Sequence, residues 1–383
     1  MRFLKQLAAA GVFAFSTATW ANDTGITDTS ITIGMSAPLS GPNGAYGIDM
    51  RQTISAYFEQ VNKNGGVHGR KLDLVALDDG YETERTVANT RTLINDKRAF
   101  ALLAYYGSSP TTEAMNTVFG PAKVPLIGTI SGADTLREPV SANANSRYMF
   151  NVRASYADET EAIVNQLVSL GLKSIAVFYQ NDGFGKSGLD GVTNALKKHN
   201  LAPSATGTVE RNAIDVSKAV TSISKANPQA VIMVTLYKPT AAFVKAMRKA
   251  GQSPMFMTLS PVGTEHLVQE LGMDARGIGI SQVMPYPWND IQPIVRDYQR
   301  LFPKQGTTYS YYGIEAYIMA RTLVEGLRRT GPKDPTREKL VSALEGMNNV
   351  DLGGYRVQYS GNSRTGSRHV ELTVIGPGGK VLK

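Results

Sequence analysis

Gly183-Phe184-Gly185-Lys186-Ser187 is where the chain comes nearest to a motif of catalysis or nucleotide binding. It matches the end of a phosphate-binding loop, in which a glycine-rich backbone cradles phosphates and a lysine reaches over them. The first glycine of that loop would fall at position 180, which is Gln180, so the cradle cannot form. Gly277-Ile278-Gly279 lacks the third glycine of a dinucleotide fingerprint, and no Gly-x-Ser-x-Gly elbow occurs. The four histidines, His68, His199, His266 and His369, lie far apart, without the spacing that gathers metal ligands. Asp78-Asp79 could share acid–base work, but a carboxylate pair at a strand end before Gly80 suits a turn or a helix cap better. Nothing assembles a nucleophile, a base and an orienter. No enzymatic activity, metal or other cofactor is therefore expected.

Residues without reaction chemistry can still bind, and the elements around them say where. Strand-like and helix-like runs alternate along the chain. Ile31 to Ala37 reads as a strand, Ile48 to Asn62 as a helix closed by Gly65-Gly66, Lys71 to Leu77 as a strand and Thr83 to Asp96 as a helix. Phe100 to Ala104 and Val124 to Ile127 read as buried strands. The same rhythm restarts near Asp158: a helix to Leu170, the strand Ser174 to Tyr179, a helix ending near His199, the strand Ala230 to Leu236, the helix Thr240 to Ala250 and the strand Met255 to Leu259. Such alternation implies parallel sheets with helices on both faces. Ile278 to Met284 and helices near Ile291 to Leu301 and Tyr311 to Arg329 are too few for a third unit and are expected to cross back to the first. Parallel α/β sheets bind ligands beyond the carboxyl ends of their strands, so two such units would hold a ligand between them.

Composition narrows the classes further. The 383-residue chain is too long for one hydrophobic core. Its formal charge of +8 is spread thinly; Lys197-Lys198 and Arg328-Arg329 sit on amphipathic helical runs without interleaved aromatics, which argues against nucleic acid. Arg2 and Lys5, the apolar run Leu7 to Phe15 and Thr19-Trp20-Ala21 read as a secretory leader cleaved after Ala21. The apolar run is far shorter than the ~20 residues a spanning helix needs. Export would permit disulfides, yet the chain has no cysteine, hence no thiol chemistry and no lipid-modified anchor. The mature chain is expected to diffuse freely in a periplasm.

Several strings, in order, resemble the periplasmic leucine/isoleucine/valine-binding protein family, the type I solute-binding proteins of ABC importers. Ile33-Gly34-Met35-Ser36-Ala37-Pro38-Leu39-Ser40-Gly41-Pro42 with Tyr46-Gly47 carries most of the likeness. Val61-Asn62, Gly65-Gly66-Val67, Gly69-Arg70-Lys71-Leu72, Asp78-Asp79, Gly107-Ser108-Ser109, the Thr129 to Leu136 stretch, Phe184-Gly185 and Tyr311 to Ala316 follow. The resemblance implies an α/β fold of two doubly wound lobes joined by three crossover segments. The lobes would be residues 28–155 with 284–352, and 156–283 with 353–383, after a leader of residues 1–21. It also implies a small-molecule ligand in the cleft, capture by lobe closure, and ABC permease and ATPase subunits as partners of a monomer. A sensory binding protein that docks a receptor would share these features; the further alternative, a periplasmic enzyme on a similar two-lobed scaffold, would need a catalytic cluster in the cleft.

Carried over residue by residue, the site comprises Tyr46, Ser108, Ser109, Ile130, Ser131, Gly132, Tyr156, Phe184, Tyr237, Ser260 and Tyr312. Ser108 and Ser109 suit either a ligand carboxylate or the cap of the next helix. Ser131 suits a site or any turn, and each aromatic, read singly, suits core or cleft wall. Amino-acid binders of the family place acids opposite the ligand ammonium; the matching positions here are Ser260 and Tyr156. A buried ammonium without a carboxylate partner costs several kcal/mol. The expectation is thus an acid with an apolar or aromatic body and no amine, unless Asp158, Glu265 or Asp134 compensates.

Overall fold

The computed structural model describes residues 24–302 and 309–383; the expected leader lies outside the described residues. In chain order the elements begin β1 (Ser30–Ala37), α1 (Gly44–Lys63), β2 (Lys71–Asp78), α2 (Thr83–Asn95), β3 (Ala101–Tyr106), α3 (Ser108–Ala114), β4 (Leu126–Ile130) and β5 (Met149–Phe150). Then come α4 (Tyr156–Ser169), β6 (Ile175–Gln180), α5 (Gly183–Lys198), β7 (Thr206–Val209), α6 (Ser217–Lys225), β8 (Ala230–Val234), α7 (Tyr237–Lys249), β9 (Met255–Thr258), α8 (Thr264–Leu271) and β10 (Gly279–Gln282). The chain closes with α9 (Pro293–Gln299), α10 (Tyr311–Arg329), α11 (Arg337–Glu345), β11 (Val350–Asp351), β12 (Arg356–Val357), β13 (Glu371–Ile375) and β14 (Val381–Leu382).

The strands form two main sheets, ordered β2-β1-β3-β4-β5 and β14-β13-β10-β9-β8-β6-β7. Every pairing in the first is parallel; in the second only β13 and β14, at one edge, pair antiparallel. Central strands such as Ala101–Tyr106 and Ala230–Val234 are buried along their whole length, as strands covered on both faces must be. In both sheets the chain order reverses beside the first strand, β1 or β6, which opens a crevice at the carboxyl ends. Helix starts are fixed locally: Ser155 and Asp158 close a capping box on α4, and the Asp182 side chain accepts from Phe184 and Gly185 N–H on α5. Asp182 thus already holds the helix start that the Gly183-Phe184-Gly185 string offered to a phosphate.

Three segments cross between the lobes, after β5, after β10 and before β13. The Tyr355 hydroxyl ties them, lying 2.9 Å from Val152 O on the first and 3.4 Å from Val283 O on the second. Tyr359 donates to Asn151 O at 2.8 Å, and Asn151 N–H to Arg364 O at 2.9 Å.

The structure moves several expected boundaries. The run from Phe100 continues as strand to Tyr106, and the strand expected at Val124 to Ile127 is Leu126–Ile130. The segment Ile278 to Met284, expected to return to the first unit, supplies β10 to the second sheet instead. It is α10 that returns, packing on α1, β3 and β4.

Candidate functional site

Loops at the carboxyl ends of both sheets meet face to face. Asn43 donates to Asn212 Oδ1 at 2.8 Å, and Asn212 donates to Glu82 Oε1 at 2.6 Å. Arg211 reaches Thr83 Oγ1 at 2.8 Å, and Gln180 donates to the Tyr81 hydroxyl at 3.0 Å. Ser109 Oγ accepts from Gly183 N–H at 3.0 Å, and Tyr237 Oη donates to Pro42 O at 2.7 Å. Asp79 builds one rim of this junction, accepting from Ser36 Oγ, Tyr81 N–H and Thr86 Oγ1 while Tyr81 takes φ +65°. Burial pushes the Asp79 carboxyl up to about 6, against those three hydrogen bonds. Asp78 goes the other way: burial opposes its charge, but bonds from Ser40, Leu39, Gly80 and Arg85 outweigh it and hold the carboxyl at about 2. Both carboxylates shape turns.

Inside the junction lie two groups of side chains. The first is aromatic. Tyr46, fully buried at the start of α1, lies near-parallel to Tyr312 and Tyr106 at centroid distances of 4.5 and 5.4 Å. Tyr237 meets Tyr46 edge-on at 5.4 Å, with His266 at 5.3 Å. Tyr237 opens α7; the helix expected from Thr240 starts three residues earlier, so this tyrosine is not in a loop. Two phenols of the first lobe bond carbonyls of the second: Tyr46 Oη to Val262 O at 2.6 Å and Tyr312 Oη to Pro261 O at 2.8 Å. Burial raises the hydroxyls of Tyr46, Tyr81, Tyr106 and Tyr312 far above their ordinary value, so all four remain neutral donors.

The second group mixes hydroxyls and rings. Ser108 Oγ lies 2.8 Å from Ser131 Oγ, and Ser131 Oγ also accepts from Ala133 N–H. Gly132 backs onto Tyr156, where a Cβ would sit 2.5 Å from the Tyr156 nitrogen and ring. Tyr156, the first residue of α4, packs on Phe184 at 5.2 Å. Ile130 ends β4, and its carbonyl accepts from Gly107 N–H. Ser109, like Tyr46, Tyr237 and Tyr312, spends its hydroxyl on a backbone group across the lobes, here Gly183 N–H.

Beneath both groups is a charged floor that the sequence reading missed. Arg153, 1 % exposed on the first crossing, donates to Glu159 Oε1 at 3.0 Å and meets Ser260 Oγ through the same nitrogen, Nη2. Its Nη1 lies 3.5 Å from Glu315 Oε1, and its guanidinium sits over the Tyr156 ring. Glu159 also accepts from Ser260 N–H and Ser281 Oγ, at 2.9 and 2.6 Å. Burial opposes the Arg153 charge, but Glu315 and Glu159 outweigh it and raise the guanidinium further. Glu315 is less well served: burial pushes it up to about 7 against the pull of Arg153. A carboxylate 3.5 Å from its partner, without a hydrogen bond to it, gains too little to offset desolvation. The acids named as compensators lie elsewhere: Asp158 caps α4, Asp134 is exposed near Arg137, and Glu265 accepts from Tyr311 N–H at 3.0 Å. Spacing held the missing signal. Glu159 and Glu315 each follow a named tyrosine, Tyr156 and Tyr312, by three residues, which places them on the same helix face.

The profile of the periplasmic binding proteins matches residues 30–380. The chain belongs to the periplasmic binding protein family. A substrate-binding periplasmic protein from Ralstonia solanacearum is 32% identical, superposes with a TM-score of 0.86, and the match covers 92% of this chain and 99% of that one. An "Amino acid binding protein" of Pseudomonas aeruginosa is 25% identical over 315 residues, 80% of each chain. A leucine-, isoleucine-, valine-, threonine- and alanine-binding protein of the same organism is 22% identical over 358 residues, 90% of this chain and 88% of that one. This periplasmic binding protein thus has the type I fold of two α/β lobes. No helix among its described residues is long and apolar enough to cross a membrane.

Proposed function

We propose that this protein is the periplasmic solute-binding component of an ABC importer, working as a monomer and without catalysis. Its solute would be a small carboxylate-bearing organic molecule with an apolar or aromatic body. One observation carries the reading: side chains from both lobes converge on a single buried junction, Tyr46, Ser108, Ser131 and Tyr312 against Phe184, Tyr237 and Ser260. Open, the lobes would expose rings for the apolar body, and the Ser108–Ser131 hydroxyls with nearby N–H groups for the carboxylate. Closure would add contacts from the second lobe, and those contacts select the solute. The lobes would be residues 28–155 with 284–352 and 156–283 with 353–383. The leader would be removed near Ala21, and a permease with its ATPases would recognise the closed form.

The solute's amine is the open point of specificity. Ser260 and Tyr156 offer no acid, which favours an amine-free acid. Glu315, buried beside Arg153 and without a hydrogen bond at Oε1 among the described residues, supports an amine-bearing solute as the second reading. Thermal unfolding with L-leucine and with 4-methylpentanoate, which share a body and differ in the amine, tests the pair. At 100 times its dissociation constant a solute adds about 2.7 kcal/mol of apparent stability. Stabilisation by the amine-free acid alone supports the first reading; stabilisation by leucine overturns it.

A further inference from the structure

Buried ion clusters add little net stability, because desolvating the charges offsets their attraction. A cluster placed where two lobes and a crossing segment meet therefore invites another explanation. Arg153 reaches three separate parts of the chain with one guanidinium: Glu159 on α4, Ser260 on the turn after β9 and Glu315 on α10. Its backbone is held as well. Arg137 donates to Arg153 O at 3.1 Å and to Ala154 O at 3.3 Å, and its other bonds go to Ser131 O and Ala133 O. The same pair of arginines thus ties the Ser131-Gly132-Ala133 wall, the first crossing, the second-lobe wall at Ser260 and the returning helix α10.

We propose that Arg153 is the positioning residue of solute capture, the side chain that sets the two cleft walls against each other from the first crossing. The proposal rests on the reading that the lobes close on a solute. The planar guanidinium bonds Glu159 and Ser260 through Nη2 and holds Nη1 at ion-pair distance from Glu315, a spread that the point charge of a lysine ammonium does not cover. Among the described residues, Arg153 Nε and Nη1 and Glu315 Oε1 have no hydrogen-bond partner, although all are buried. The fork is committed to Glu159 and Ser260 of the second lobe and held only loosely to Glu315 of α10. The α10 side is therefore the end that gives way when the lobes part.

Glu315 makes that movement visible. The groups acting on it are Arg153, Glu159 and Arg137, with Tyr312 on its own helix and Tyr355 from the third crossing. Buried, it stands at about 7 against an ordinary 4.5. Opening hydrates it and returns it toward the ordinary value, so the closed form holds more protons between the two. Closure weakens as pH rises through that window and is flat above it.

The test uses the full mature chain, whose lack of cysteine allows two dyes to be placed through Glu84→Cys and Lys186→Cys, both exposed, one on each lobe. Interlobe distance is followed against pH without solute, and affinity for L-leucine and 4-methylpentanoate by calorimetry. Arg153→Lys is expected to retain a cooperative fold but to populate wider distances and lose at least tenfold in affinity for whichever probe binds. Glu315→Gln is expected to abolish the pH dependence of the distance. An Arg153→Lys protein that closes and binds within twofold of the parent overturns the proposal. If that variant fails to fold, Glu315→Gln decides, and a pH profile unchanged from the parent overturns it. A parent that binds neither probe counts against the solute reading, and the distance measurements still judge Arg153.

Discussion

Replacing Tyr46 by phenylalanine isolates one interlobe contact. The ring, stacked 4.5 Å from Tyr312 and 5.4 Å from Tyr106, stays; only the hydroxyl goes. That hydroxyl donates to Val262 O at 2.6 Å and accepts from Tyr237 N–H at 3.3 Å, both in the second lobe. A buried hydrogen bond is worth about 0.5–1.5 kcal/mol net, and an orphaned buried donor adds about 1–3 kcal/mol. The second bond is long, so the loss is set near the lower ends, about 1.5–2.5 kcal/mol. Both bonds exist only with the lobes together, so the whole loss falls on closure and appears as roughly 10- to 60-fold weaker binding. Calorimetry on Tyr46→Phe measures it. Tyr57→Phe is the control, since Tyr57 is also buried but packs on Tyr317 within the first lobe. If Tyr46→Phe binds within twofold of the parent, the hydroxyl does not hold the lobes and the reasoning fails.

Gly132→Ala places a Cβ 2.5 Å from the Tyr156 backbone nitrogen, which cannot yield as a flexible side chain would. Overpacking of this kind costs about 1–3 kcal/mol, so chemical denaturation should show a matching loss, and the displaced Tyr156 should weaken solute binding. An unchanged midpoint and affinity would show that this wall tolerates the methyl. Glu265, whose carboxyl oxygen Oε2 is buried, is raised to about 7 chiefly by desolvation and binds its proton more tightly folded than unfolded. It therefore opposes stability increasingly as pH rises from its ordinary value of 4.5 to about 7. Glu265→Gln should raise the melting temperature at pH 8 and change it little at pH 4; an equal change at both would remove Glu265 from the balance.

The fold was legible because long alternating runs fix element type. What the sequence left obscure has local causes. Ala101 to Tyr106 is aliphatic or aromatic throughout, so nothing in its pattern marks the strand end, and Tyr106, whose ring lies against Tyr46, went unnamed. The short strand β10 carries no periodicity that assigns it to either sheet, and only pairing with β9 and β13 does so. Tyr46, Tyr237 and Tyr312 were named from a resemblance, and the structure brings their side chains into one cluster. Arg153 was invisible because a lone arginine in a connecting segment reads as solvated. Its burial follows from acids recruited from α4 and α10, far apart in sequence. Glu159 and Glu315 could have been found, since each lies three residues beyond a named tyrosine on the same helix face.

Solute capture between the lobes is tested most directly by calorimetric titration of the mature protein with L-leucine and 4-methylpentanoate, each repeated on Ser108→Ala. The account expects one of the two to bind the parent with one-to-one stoichiometry, and expects Ser108→Ala, which removes the hydroxyl 2.8 Å from Ser131 Oγ, to weaken that binding at least fivefold. Binding that Ser108→Ala leaves untouched would place the carboxylate elsewhere. Absence of binding by either acid, in a protein that unfolds cooperatively, would contradict the account.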